Sequence, residues 1–225
     1  DVYKRQIFNN KIFCFSTITS MIIMLSMVGP ALLIPLYVQN ALGLSALLSG
    51  LVIMPGAIIN GIMSVFTGKF YDKYGPRPLI FTGFILLISC TFLLCFLKVD
   101  TSYTYLIVIY AIRMFAVSLL MMPINTTGIN ALKTENISHG TAIMNFGRVM
   151  AGSLGTALMV TFMSIGAQWV VSSSNHASKE MIQRQSVAAG VDVSFALVTA
   201  FVIIAFVLAL FIKEPNHSTH NSRKV

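Results

Sequence analysis

From residue 12 to residue 68 the chain runs through 57 positions without one Asp, Glu, Lys, Arg or His. A single membrane-crossing helix needs only about 20 consecutive apolar residues. The run is therefore long enough for two crossings and the turn between them. The rest of the chain agrees, since 10% of its 225 residues are charged and 56% are hydrophobic. Soluble domains carry about 25% charged residues, so this composition excludes an ordinary cytosolic enzyme. It excludes disorder more firmly still. The expected class is an all-α integral membrane protein.

Charges and turn residues divide the chain into six apolar segments, at 12–38, 46–70, 78–97, 103–132, 140–166 and 193–212. Helix is the expected form, because backbone groups in lipid must find partners within their own segment. A membrane barrel would need alternating segments of about ten residues, and that pattern is absent. The expected organisation is a lead-in at 1–11 with room for a junction remnant, a six-helix unit at 12–212, and a polar tail at 213–225. The chain does not open with Met, and Asp1 to Gln6 carry no signal-peptide pattern. A start inside a longer protein is the expectation. The polar stretch 167–192 suits either a short helix or a loop.

Lys and Arg give a direction. Lys4, Arg5, Lys11, Lys69, Lys73, Arg77, Lys133, Lys213, Arg223 and Lys224 fall on one side of the expected membrane, ten in all, against Lys98, Lys179 and Arg184 on the other. The positive-inside rule makes the first side cytoplasmic, with both ends of the segment there. Basic membrane loops account for the net charge of +8 without any nucleic-acid partner, and no zinc-finger spacing or RNA-binding motif accompanies it. Cys14, Cys90 and Cys95 all lie in apolar runs and imply neither a disulfide framework nor a metal site. No nucleophile motif, paired intramembrane acids or phosphate-cradling loop points to an enzyme.

One loop carries a motif. Gly68-Lys69-Phe70-Tyr71-Asp72-Lys73-Tyr74-Gly75-Pro76-Arg77-Pro78 lies between the second and third segments. Glycines at 68 and 75 permit a tight turn and close helix approach. Asp72 is placed to accept from a helix N-terminus. Lys69, Lys73 and Arg77 can grip lipid phosphates or carboxylates. A basic turn on the cytoplasmic side is the plainer account of the same residues. The skeleton Gly68, Asp72, Gly75, Arg77 resembles the signature loop of the major facilitator superfamily. The stretches Ile34 to Ser45, Ser49 to Gly56, Ala142 to Arg148 and Gly152 to Ala157 are similar to fourteen-span drug:proton antiporters of the EmrB/QacA type. The likeness covers about residues 8–213, with one departure in the fourth segment at Arg113-Met114-Phe115-Ala116-Val117-Ser118, where that family tends to have glycines.

The resemblance implies the C-terminal half of a proton-coupled exporter of drugs or metabolites, built as two inverted three-helix repeats and working by alternating access. It implies a plasma-membrane location, a gating role for Gly68, Asp72, Gly75 and Arg77, and an amphipathic small-molecule substrate. It implies N-terminal helices of the same protein as the partner and a proton as the coupling ion, with no other cofactor. The alternative is a non-transport assembly or receptor-like membrane protein that reuses the fold. The two part on whether Arg113 and Arg148 serve export or only folding.

Those two arginines lie inside apolar segments, Arg113 about 15 Å deep at 1.5 Å per residue and Arg148 at a similar depth. An arginine there costs at least about 2.5–3.5 kcal/mol to insert and faces a bundle interior or a wet cavity. No acid lies inside the six segments as drawn, so both arginines are expected to find their partner outside this chain. A carboxylate on the other half is favoured over water, a backbone carbonyl or an anionic substrate. Asn145, Asn125 and Asn60 are further cavity candidates, and Asn145 and Arg148 share a helix face. Interhelical hydrogen bonding, worth about 0.6 kcal/mol each, is the competing role. Gly147, Ala151 and Gly155 form a small-residue stripe for close helix packing.

Overall fold

A computed structural model of the chain describes residues 9–173 and 179–211. Six long apolar helices make up the fold: α1 (Lys11–Asn40), α2 (Ala46–Tyr74), α3 (Pro76–Leu93), α4 (Tyr103–Asn130), α5 (Ile137–Ser173) and α6 (Lys179–Leu210), with a 3-10 turn at Thr134–Asn136 before α5. Each is long and apolar enough to cross a membrane. At 1.5 Å per residue, the 18 residues of α3 reach about 27 Å, just enough for the hydrocarbon core.

Local chemistry sets the ends. Asn10 caps α1, its Oδ1 accepting from the amides of Ile12 (3.0 Å) and Phe13 (3.3 Å). Its Nδ2 donates to the carbonyl of Ala131 at 2.5 Å, the residue that ends α4. Ser45 caps α2 through Leu48. Between α2 and α3 the chain turns at Gly75, with φ 78° and ψ 174°. Only glycine adopts that backbone without strain. Pro76 and Pro78 then open α3, each removing an amide that the first turn would leave orphaned. Gly75→Ala is expected to lower stability by about 1–3 kcal/mol, read as a fall in the thermal unfolding midpoint in detergent. An unchanged midpoint would contradict this account of the turn.

The helices pack by a two-fold plan. α1 lies on α5 and α6, α4 lies on α2 and α3, and α1 and α4 lie on each other. Exchanging α1, α2, α3 with α4, α5, α6 maps these pairings onto one another, as inverted repeats require. Sequence similarity between the halves is weak, so the symmetry lives in the packing. α3 and α6 close one side, and α2 and α5 stand on the flanks of the central pair. One departure from the symmetry is that α5 packs closely on α6, whereas α2 barely meets α3. Glycines explain it: a Cβ on Gly166 would lie 2.8 Å from the Cα of Gly190. Two large apolar clusters fill the interior, one around Phe84, Val117, Leu120 and Val202, the other around Tyr37, Val52, Tyr110 and Phe195, and a smaller third joins Phe13 to Met144.

Several boundaries differ from the sequence expectation. Much of the polar stretch at 167–192 is helical, since α5 runs on to Ser173 and α6 begins at Lys179. The third helix stops at Leu93, and the backbone beyond it turns so that the amide of Leu97 donates to the Asp192 carboxylate at 2.9 Å. The tail at 213–225 and residues 1–8 of the lead-in lie outside the described residues.

Candidate functional site: a buried arginine on a proline-freed carbonyl

Arg113 is fully buried, the largest side chain of which that is true among the described residues. Its guanidinium reaches from α4 to α1, where Nη2 donates to the carbonyl of Ser26 and lies 3.4 Å from the Ser26 hydroxyl. The sequence expectation that Arg113 finds no partner within the chain is therefore corrected, because a backbone carbonyl of α1 is its partner. The reason is local. In a helix the carbonyl of residue 26 bonds the amide of residue 30, and residue 30 is Pro30. Proline has no amide hydrogen, so Ser26 keeps a free acceptor in the middle of a membrane helix. Such an acceptor must be satisfied by a neighbour. Pro30 and Arg113 are thus two parts of one device, one on each repeat.

The device leaves capacity over. Nε and Nη1 of Arg113 are buried without a partner among the described residues. Toward its N-terminal end, six to ten residues from Ser26, α1 also buries Ser16, Thr17, Thr19 and Ser20. The hydroxyls of Ser16, Thr19 and Thr127 and the Oδ1 of Asn125 are also buried without a partner among the described residues. The sequence singles out Arg113 and Asn125 but not these hydroxyls of α1. The signal for Ser26 is its place four residues before a proline.

The other candidates are distributed rather than gathered. Asn60 on α2 is half-buried and its Nδ2 lies 3.8 Å from the Sδ of Met114, beside Arg113. Asn125 is twelve residues further along α4, about 18 Å. On α5, Asn145 is exposed while Arg148 is half-buried, with its Nε buried and without a partner among the described residues. Gly147 meets Met21, a Cβ there falling 3.0 Å from the Met21 Sδ. Ala151 is buried. Gly155 meets the backbone of Leu25, a Cβ there falling 3.0 Å from its carbonyl oxygen. The stripe thus seats α1 against α5, within a turn or two of Ser26.

In the loop motif, Gly68 approaches Met122 on α4, its added Cβ lying 3.4 Å from Cε. Asp72 is exposed and does not cap α3, whose N-cap Gly75 makes no side-chain bond. Arg77 is exposed one residue into α3. Lys69 and Lys73 stand over the rings of Phe66 (5.7 Å) and Tyr74 (5.2 Å) on their own helix. Asp192 is a residue the sequence placed at the edge of a span. It stands thirteen residues into α6 and is half-buried.

Comparison with known proteins adds the family. The model of the Major Facilitator Superfamily matches residues 2–156. A lincomycin resistance protein of Listeria monocytogenes, LmrB, is 35% identical over 209 residues, 93% of this chain and 44% of that protein. The uncharacterized MFS-type transporter YhcA of Bacillus subtilis is 43% identical over 156 residues, 69% of this chain and 29% of that protein. The multidrug export protein EmrB of Escherichia coli is 29% identical over 134 residues, 59% of this chain and 26% of that protein. The chain thus spans less than half the length of these curated relatives. Its six apolar helices, their repeat-exchanged packing and the match over most of its length together place it as a multi-pass membrane protein of the major facilitator superfamily.

Proposed function

We propose that this chain is the C-terminal six-helix half of an exporter that expels amphipathic drugs or metabolites in exchange for protons. Both ends of the segment would be cytoplasmic, in the plasma membrane. The observation that carries the reading is the alignment with LmrB, which uses 93% of this chain and 44% of the relative. The names of LmrB, a lincomycin resistance protein, and EmrB, a multidrug export protein, make lincomycin and a mixed drug panel the first substrates to try. No enzymatic activity is part of the reading.

Exposed faces support the partner. Leu47, Leu51, Met54, Ile58, Ile62 and Val65 line one exposed stripe of α2 at helical spacing. Phe146, Val149, Met150 and Leu154 are exposed on α5. These flanking helices are where the remaining helices of the protein would dock, and rocking of the two halves would open the midplane to each side in turn. Arg113, with two unpaired guanidinium nitrogens, and Arg148 would then meet the substrate or a carboxylate of the other half. Asn60, Asn125 and Asn145 would add polar contacts, and the loop from Gly68 to Arg77 would control opening.

The test is efflux by the complete protein in cells lacking other exporters. Drug accumulation is expected to fall on expression and to recover when an uncoupler removes the proton gradient. Arg113→Gln is expected to reduce efflux at least tenfold at normal membrane abundance. Asp192→Asn is expected to leave proton coupling intact, because the proton carrier would lie on the other half. Wild-type accumulation unchanged by expression would overturn the exporter reading. Full efflux in Arg113→Gln would overturn the assignment of Arg113 to the pathway.

A further inference from the structure

A crevice of about 240 Å³ opens where the first turns of α3 meet the last turns of α6, lined by Arg77, Ile80, Phe81, Phe206, Ala209 and Leu210. Its floor is built. The Phe206 ring lies 5.3 Å from that of Phe81, edge to face, and 5.5 Å from that of Phe84. Edge-to-face pairs of this kind hold rings in place. The surrounding faces of α3 and α6 expose Phe81, Ile85, Ile203, Val207 and Leu210, the surface that a membrane helix turns to lipid. One lining side chain is different. Arg77 stands at the mouth, and Ile80 and Phe81 lie one helical turn deeper.

From this arrangement we infer that the crevice is a binding site for one anionic phospholipid, with the headgroup phosphate on Arg77 and an acyl chain along the aromatic floor. Each simpler occupant leaves part of the site unmatched. A soluble phosphate meets Arg77 but leaves five apolar side chains uncovered. A bare hydrocarbon tail covers those walls and leaves the guanidinium without an anion. Guanidinium is suited to phosphate because its planar fork bonds two oxygens at once. Asp72, the nearest acid in sequence, is exposed and makes no ion pair with Arg77 among the described residues. Among the described residues Arg77 thus has no anion beside it, which leaves its guanidinium to an external one. Basic pockets between membrane helices are established recognition sites for anionic headgroups. The inference rests on membrane residence alone and is independent of transport.

Native mass spectrometry of the complete, delipidated protein tests it, with palmitoyl-oleoyl phosphatidylglycerol, the matching phosphatidylcholine and glycerol 3-phosphate as probes. The expected result is one phosphatidylglycerol retained about tenfold more tightly than phosphatidylcholine and not displaced by glycerol 3-phosphate. Arg77→Gln, an exposed change, is expected to remove that preference, and Lys73→Gln to keep it. Equal retention of both lipids by the wild type would overturn the inference without recourse to any variant. So would an Arg77→Gln protein that keeps the preference. Displacement by glycerol 3-phosphate would assign the site to a soluble phosphate and overturn its lipid identity.

Discussion

Adding one methyl group at position 190 is expected to unfold or severely loosen the bundle. The Cβ of an alanine there would land against the backbone carbonyl of Met163 on α5. A flexible side chain can swing away from such a clash, but a helix backbone cannot. The helices would have to separate along α5 and α6, one of the most extensive pairings in the fold. In a membrane that separation is not opposed by the hydrophobic effect, because lipid tails solvate apolar faces as well as leucine does. Packing contacts hold the pair, and they are what the methyl group removes. Overpacking costs typically about 1–3 kcal/mol, and backbone-to-backbone contact puts Gly190→Ala at the upper end. Gly166→Ala faces the same crossing, with the Ala189 carbonyl 3.0 Å from the added carbon. Both should show lowered unfolding midpoints in detergent and reduced membrane abundance. Gly61→Ala, where no atom lies within 4 Å, is the control and should be silent. A Gly190→Ala protein as stable as wild type would show that the two helices do not approach as closely as described.

Arg113 and Pro30 are expected to be energetically coupled by about 1–3 kcal/mol although they sit on different helices. Removing the arginine from the wild type, as Arg113→Met, leaves the Ser26 carbonyl with no donor. A buried unsatisfied group of this kind costs about 1–3 kcal/mol. Removing the buried cation relieves a cost of similar size, at least about 2.5–3.5 kcal/mol on insertion scales. The single change is therefore expected to move stability little. In a Pro30→Ala background the amide of residue 30 returns and satisfies Ser26 within its own helix. Arg113→Met should then be stabilising relative to that background. A double-mutant cycle on unfolding free energies isolates the difference. A coupling below about 0.5 kcal/mol would separate the proline from the arginine. Under the proposed exporter reading, the near-cancellation makes loss of export without loss of fold the matching expectation.

The six crossings were legible because long uncharged runs have one physical solution in lipid. The position of Arg113 was legible for the same reason, as a charge where charge is costly. Its partner was not: a backbone carbonyl stood among the alternatives, but an opposite charge on the other half was favoured. The freed carbonyl of Ser26 is written as a proline four residues away, and a backbone acceptor carries no letter of its own. Asp72 shows the converse. Its place before a helix start suggested a cap, but Asp72 still belongs to α2, and Gly75, which has no side chain, holds the N-cap position of α3. The close α5–α6 crossing was missed because Gly190 lies in the polar stretch 167–192, outside the apolar segments as drawn, and Gly166 stands at the very end of the fifth. The extension of α5 and α6 beyond the apolar segments was hidden by polar residues that are compatible with helix outside the bilayer.

The side chain of Asn10 does two jobs, capping the first turn of α1 and holding the last carbonyl of α4. Together with the Arg113 bridge to Ser26, it ties the same two helices at points sixteen residues apart along α1, about 24 Å. Two rods joined at one point can pivot, and two rods joined at two points cannot slide or scissor. The central pair is therefore a splint shared by both three-helix repeats. Bending is left to the stretch of α1 beyond Ser26, where Pro30 and Pro35 interrupt the ladder of amides. A motion that begins at one membrane face is then expected to turn the unit as a body and to flex it most at the far end.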